Sequence, residues 1–284
     1  MGALGGPRGA HVPCMGRYPF SLAWWAPSRA DRTAGLAVFR LRSVGPTLSG
    51  DDVGLFGERR TFLEGLGPAD RDALAGLGTR HDYPAHETLL SEGERTTFAV
   101  VILEGWSAVW TATERGGRLM LGLRQAGEVV GDMAALDGRP RSASVSALGP
   151  LTGLVVPGER FRRFLAARPR ANALIMSQLT ERLRSADHER RALASMTVLQ
   201  RLSERLVELA DRTGRVEREG VTIRLPLAQH ELAASVGSTR EAVAKALRLL
   251  REQGLVRTGP GTLAVADLEP LRLLAGGAQH GRDT

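Results

Sequence analysis

The chain has 284 residues, 43% of them hydrophobic and 24% charged, the balance of a soluble globular protein of about two domains. Its longest apolar runs, such as Phe98 to Leu103, are too short to span a bilayer, and its single cysteine, Cys14, excludes an internal disulfide and speaks against a cysteine-held iron–sulfur cluster. The net charge of +7 is no argument for nucleic acid by itself, because residues 1–50 hold six arginines and one aspartate, +5 of the total, leaving +2 for the rest.

Residues 1–55 are rich in Gly, Pro, Ala and Arg without a sustained period, and they read as a disordered extension. Phe20 to Ala26 is apolar but precedes no cleavage site, so no signal peptide is expected, and Cys14 lacks the apolar run a lipid anchor needs. From Thr61 to Leu77 the pattern predicts a short amphipathic helix with a Pro-Ala-Asp start. Glycines then recur at 93, 105, 117, 127 and 138, separated by 12, 12, 10 and 11 residues. Between them lie β-rich runs at Phe98–Leu103, Trp106–Thr111 and Leu119–Leu123, the spacing of a small sandwich or barrel that can enclose one ligand. His81, His86 and Glu87 fall within seven residues, so a metal-dependent β-barrel enzyme is a second class of function to test.

Residues 127–147, GEVVGDMAALDGRPRSASVSA, carry the next signal. Gly131 and Asp132 with Arg141 and Ser142 could place backbone N–H groups, a guanidinium fork and a hydroxyl round one phosphate. The same arginine and serine could equally brace the sheet. Pro169 to about Arg212 reads as helix, broken near Ser195–Thr197. Met176, Leu179, Leu183, Ala186 and Leu193 make a narrow seam there, interrupted by Arg190 and suited to a partner helix or to the chain's own β-rich part. Leu199, Leu202, Leu206 and Leu209 open a second domain.

Residues 225–256 then predict two helices round the Gly237 turn, with Pro226 at the first helix start and Leu227, Leu232 and Val236 on its apolar stripe. Val243, Leu247 and Leu250 bury the second helix and leave Thr239, Arg240, Glu241, Ala244, Lys245 and Arg248 outside. Lys245 is the only lysine of the chain, so arginine richness elsewhere reads as compositional bias. Such a polar helix face can read base edges in a major groove. Glu241 has a competing use, in a Ser238-x-x-Glu241 capping box. Leu255–Val256 and Leu263–Val265 flank Gly259-Pro260-Gly261 as a two-stranded wing, and the tail from Gly276 is expected to be mobile.

GSTREAVAKALRLLREQGLV, the cassette at 127–147 and LLSEGERTTFAVVILEGWSAVW together resemble the Crp/Fnr family of bacterial transcription factors, over roughly residues 56–275. The resemblance implies an α+β fold: a cyclic-nucleotide-binding-like β-roll (jelly roll) at 56–168, a dimerisation helix at 169–197 and a winged helix-turn-helix at 198–275, followed by a tail at 276–284. It implies a homodimer in the cytoplasm, bound to a near-palindromic operator in double-stranded DNA, away from any membrane, with RNA polymerase as a further partner. Ser238, Thr239, Arg240, Glu241 and Lys245 are the DNA-reading candidates, although Ala228 and Ala242 stand where the family has threonine. The ligand-side candidates are Gly131, Asp132, Arg141, Ser142, Arg182, Ala186 and Asp187. Asp132 replaces the family's ribose-binding glutamate, and Ala186 and Asp187 replace its base-reading Thr-Ser pair. The expected effector is a cyclic nucleotide or another small anionic ligand, with cyclic AMP itself held feebly; a regulator without an effector is the alternative.

Overall fold

In the computed structural model the residues described are 60–113, 117–217, 220–223, 227–259 and 262–276. The expectations for residues 1–55, for Pro226, for Pro260 and Gly261 in the wing turn and for most of the tail lie outside them.

Thr61 opens helix α1 (Phe62–Gly65) with a capping box, its backbone N–H donating to Glu64 Oε2 at 2.9 Å. Gly67 is extended and Pro68 begins a new helix, α2 (Pro68–Ala75), at the expected Pro-Ala-Asp start, so α1 is an additional helix before it. The cause is local: proline has no N–H to continue a helix and suits a first turn.

The glycine-punctuated stretch folds as eight strands: β1 (Thr79–Tyr83), β2 (Thr88–Leu90), β3 (Ala99–Glu104), β4 (Trp106–Ala112), β5 (Arg118–Gln125), β6 (Val129–Val130), β7 (Ser144–Ala147) and β8 (Leu151–Val156). They form two antiparallel four-stranded sheets, ordered β1-β8-β3-β6 and β2-β7-β4-β5. Val100 and Ile102 of the first sheet meet Leu90, Val145 and Ala147 of the second inside the roll, all buried. Gly105, at φ 91°, makes the tight link from β3 to β4, a conformation glycine takes without steric cost. Helices α3 (Asp132–Asp137) and α4 (Gly158–Ala167) complete this part; α3 is too short to be read from sequence, whereas α4, with Phe161, Phe164 and Leu165 buried at helical spacing, was missed.

Helix α5 (Pro169–Ser195) runs from the roll, and α6 (Val198–Thr213) starts after a break at Met196, with Thr197 and Gln200 forming a second capping box. Next come β9 (Gly214–Glu217), β10 (Gly220–Ile223), α7 (Gln229–Ser235), α8 (Arg240–Glu252), β11 (Val256–Gly259), β12 (Thr262–Val265) and α9 (Leu268–Leu274). The expected two-stranded wing is therefore part of a four-stranded sheet, β11-β12-β10-β9. The two additional strands have four residues each, and the one apolar alternation, Val221 and Ile223 of β10, is too short to be read as a strand.

Leu202, Leu206, Val243, Leu247, Leu250 and Leu271 build the core of this second region, each at most 4% exposed. A leucine buried to that degree contributes roughly 1.5–3 kcal/mol. The same core continues into Ala108, Trp110, Met120 and Leu123 on the outer face of the second sheet of the roll, where α7 packs on β5. Arg212 of α6 seals the junction. Its guanidinium lies 5.3 Å over the Trp106 ring and donates to Leu123 O at 3.3 Å and Glu128 Oε2 at 3.2 Å.

Candidate DNA-reading and sensor sites

The turn between α7 and α8 has the geometry that its residues dictate. Gly237 has φ 59°, and a Cβ there would meet Leu193 Cδ2 at 2.7 Å. Leu193, expected in a seam facing a partner, thus packs on the chain's own turn, although 48% of it stays exposed. Two arginines of α6 satisfy the carbonyls that α7 leaves open at its end. Arg201 Nε donates to Val236 O at 2.9 Å, and Arg205 Nη2 donates to Ser235 O at 3.0 Å. Arg205 is itself held by Glu189 of α5 and Glu208. Sequence reasoning passed over both arginines, because nothing local distinguishes them from the other charges of an amphipathic helix.

Helix α7 begins at Ala228 without a side-chain cap, as its lack of a hydroxyl predicts; only the return bond is made, Ala228 N to Glu231 Oε2 at 2.7 Å. Helix α8 is capped by Thr239, whose Oγ1 accepts from Ala242 N at 3.2 Å. The cap is therefore one residue later than a Ser238-x-x-Glu241 box requires. Thr239, Arg240, Glu241, Lys245 and Arg248 lie exposed on one side, while Val243, Leu247 and Leu250 are buried on the other; Ser238 is half-buried at the turn. Within the described residues the side chains of Arg240, Glu241 and Lys245 form no hydrogen bond or ion pair.

The cassette is more closed than its residues imply. Arg141 is 3% exposed and donates from all three nitrogens into the protein: Nε to Thr96 Oγ1 at 3.1 Å, Nη1 to Gly131 O at 2.8 Å and Nη2 to Phe98 O at 2.6 Å. It also stacks over the Phe98 ring at 4.7 Å, and its burial lowers its pKa. In this geometry it braces the roll. Ser142 is exposed, and its hydroxyl approaches only Met133 Sδ, at 3.9 Å. Gly131 takes φ 72° with no room for a side chain, because a Cβ would meet Arg141 Nη1 at 2.6 Å. Asp132, 2% exposed, is held by Arg182 Nη1 at 2.8 Å and by Gln178 Nε2 at 2.9 Å, both from α5. Arg182 thus meets the cassette through a carboxylate. Ala186 and Asp187 do not join it: Ala186 is exposed, and Asp187 Oδ1 accepts from Arg190 at 3.0 Å. One further residue belongs to this region and was missed in the sequence, Arg124 of β5, whose buried guanidinium lies near Arg182, Glu128, Arg212 and Asp132. The available signal was an arginine at an inward step of a strand, hidden by the general abundance of arginine.

Family comparisons agree with this arrangement. The cyclic nucleotide-binding domain matches residues 80–168, and the Crp-like helix-turn-helix domain matches residues 200–274. The chain belongs to the Crp/Fnr family. Among curated relatives, the cyclic AMP receptor protein of Thermus thermophilus is 29% identical over 76% of this chain and 97% of its own length. A CRP-like cAMP-activated global transcriptional regulator of Mycobacterium tuberculosis is 25% identical over 75% of this chain and 95% of its own. A solved Crp/Fnr-family transcriptional regulator of Thermus thermophilus superposes with a TM-score of 0.58 at 26% identity, covering 70% of this chain and 98% of that one.

As a Crp/Fnr protein the chain is a DNA-binding transcription regulator with a cyclic nucleotide-binding domain, and not an enzyme. The metal-enzyme alternative falls with that assignment. His81 stacks edge-on against Tyr83 at 4.5 Å, His86 sits in a turn at φ 67°, and no group of three or more potential metal ligands occurs among the described residues. No helix among the described residues is long and apolar enough to cross a membrane.

Proposed function

We propose that this Crp/Fnr regulator acts in the cytoplasm as a homodimer reading a near-palindromic operator, under the control of a small anionic ligand in the β-roll. The carrying observation is the bare polar face of α8: three long side chains at its first turns, without partners among the described residues, beside an apolar face that fixes the helix. In this reading Arg240 donates to a guanine edge, Glu241 accepts from a cytosine amino group and Lys245 reaches base or phosphate, while Ser238 and Thr239 line the approach. The dimer is supported by α5, where Met176 and Leu183 are 55% and 62% exposed on a helix otherwise rich in charge. The functional division is then sensor at 56–168, dimer helix at 169–197 and reader at 198–275.

On the ligand side the reading takes the phosphate end from Gly131, Arg141 and Ser142, with Arg182 and Asp132 beside them and Ala186 and Asp187 nearest the base. Cyclic AMP is a poor fit, because the hydroxyls that would read its base are absent. Each lost hydrogen bond costs about 0.5–1.5 kcal/mol, so two or three weaken binding by roughly one to three powers of ten. The internal partners of Arg141 and Asp132 favour a second reading, in which no effector is used and abundance alone sets activity. A thermal-shift screen separates these, since a tight ligand raises the melting point by mass action. RNA polymerase is the partner that activation would require.

Selection of bound fragments from a random duplex pool tests the central reading. The expected product is a near-palindrome whose half-sites lie about one helical turn apart. A pool that gains no common sequence would overturn it.

A further inference from the structure

Four buried side-chain polar atoms lack a partner among the described residues, and three belong to one place: Ser107 Oγ, Arg124 Nε and Arg182 Nε. Ser107 and Arg124 stand opposite each other in the β4–β5 register, and Ser107 also faces Ala147 of the inner core. Opposed residues share a face of a sheet, so both belong to the inner face of the roll. The Arg124 guanidinium folds back over Gly122, where a Cβ would meet its Nη1 at 2.7 Å, and donates only to Leu123 O, at 2.8 Å.

Among the described residues no carboxylate is within ion-pair distance of Arg124. The two nearest in its surroundings are already engaged, Asp132 by Arg182 and Glu128 by Arg212, and Glu189 is held by Arg205. Its pKa is pulled down to about 10, first by burial and then by the neighbouring charge of Arg182. A buried cation that is neither paired nor saturated with hydrogen bonds is costly to keep. Its unsatisfied atoms are donors, and they lie at the cassette; what satisfies donors beside a cation is an anionic acceptor.

We propose that Arg124, with Ser107 and Arg182, binds an anionic group of the sensor's ligand that is additional to the one met by the cassette loop, so that the ligand is a small molecule with at least two phosphate or carboxylate groups. This rests on reading the β-roll as a ligand sensor. It gives an arginine that has no ion-pair partner among the described residues a use, and it accounts for a pocket poor in base-reading hydroxyls: charge, not base edge, sets the specificity.

The test compares the full-length chain with Arg124→Met, using inorganic pyrophosphate and cyclic AMP as calorimetric probes at constant ionic strength. The unchanged protein should bind pyrophosphate, and Arg124→Met should weaken that binding at least tenfold while changing cyclic AMP binding less than threefold. Without added anions Arg124→Met should melt no lower than the unchanged chain, since an uncompensated charge has been removed; pyrophosphate should raise only the melting point of the unchanged chain. A variant that melts far lower would make Arg124 a brace and overturn the proposal. Equal pyrophosphate binding by the two chains would overturn it as well. Cyclic AMP binding by both with pyrophosphate bound by neither would overturn the role of Arg124 and leave the sensor standing. Failure of both probes on both chains would overturn the two together.

Discussion

At the scale of single residues, burial decides what a side chain can do. Tyr83 illustrates this with a measurable consequence: burial, and then the charge of Glu87, raise its phenol from 10.0 to about 12. An acid whose folded pKa is raised holds its proton longer when folded than when unfolded. The stability attached to Tyr83 is therefore intact below pH 10 and is lost as pH rises from about 10 to about 12. In a Tyr18→Phe chain, where Tyr83 is the remaining tyrosine, phenolate absorbance should develop about two pH units above that of the unfolded chain. Coincident folded and unfolded titrations would contradict the burial. Burial also marks where the sequence was silent. Arg141 could be read as a phosphate fork or as a brace, and the choice depends on Thr96 and Phe98, which no local pattern connects to it. Exposed candidates such as Arg240 could be picked out because their helix face needs no distant partner to define it.

Elements follow the same logic over longer stretches. The strands of the roll, α5 and the α7–α8 pair were readable because apolar period and glycine or proline punctuation agree there. Strands β9 and β10 were not, since each has only four residues, β10 pairs with β12 across some forty residues and β9 pairs with β10. Helix α5 has an exposed apolar middle that can be tested. Leu183 is 62% exposed in one chain, so in the proposed dimer a Leu183→Glu change brings like charges together across the two-fold axis. Light scattering at micromolar concentration should find monomers. A dimer that persists would place the interface elsewhere. The end of α5 has a different task, because Leu193 and Glu189 touch the turn and its Arg205 support. In the proposed dimer one helix would offer its middle to a partner, while its end touches the α7–α8 turn.

Over the whole molecule, the reader is docked on the sensor by a shared core and by Arg212, which joins Trp106, Leu123 O and Glu128. Glu128 adjoins Val129, whose carbonyl accepts from Arg182, so the docking contact and the cassette are two bonds of one network. Arg212→Ala should loosen that contact, and amide exchange should quicken in β5 and α7 while α4 is unaffected. Uniform exchange would mean that Arg212 carries no coupling. If the bare face of α8 reads sequence, affinity for two DNAs will show it. Arg240→Ala should cost about 1–3 kcal/mol per half-site on the selected operator, the value of a lost bidentate base contact, and far less on random duplex at the same salt. Equal losses on the two DNAs would make Arg240 a phosphate contact and contradict that reading.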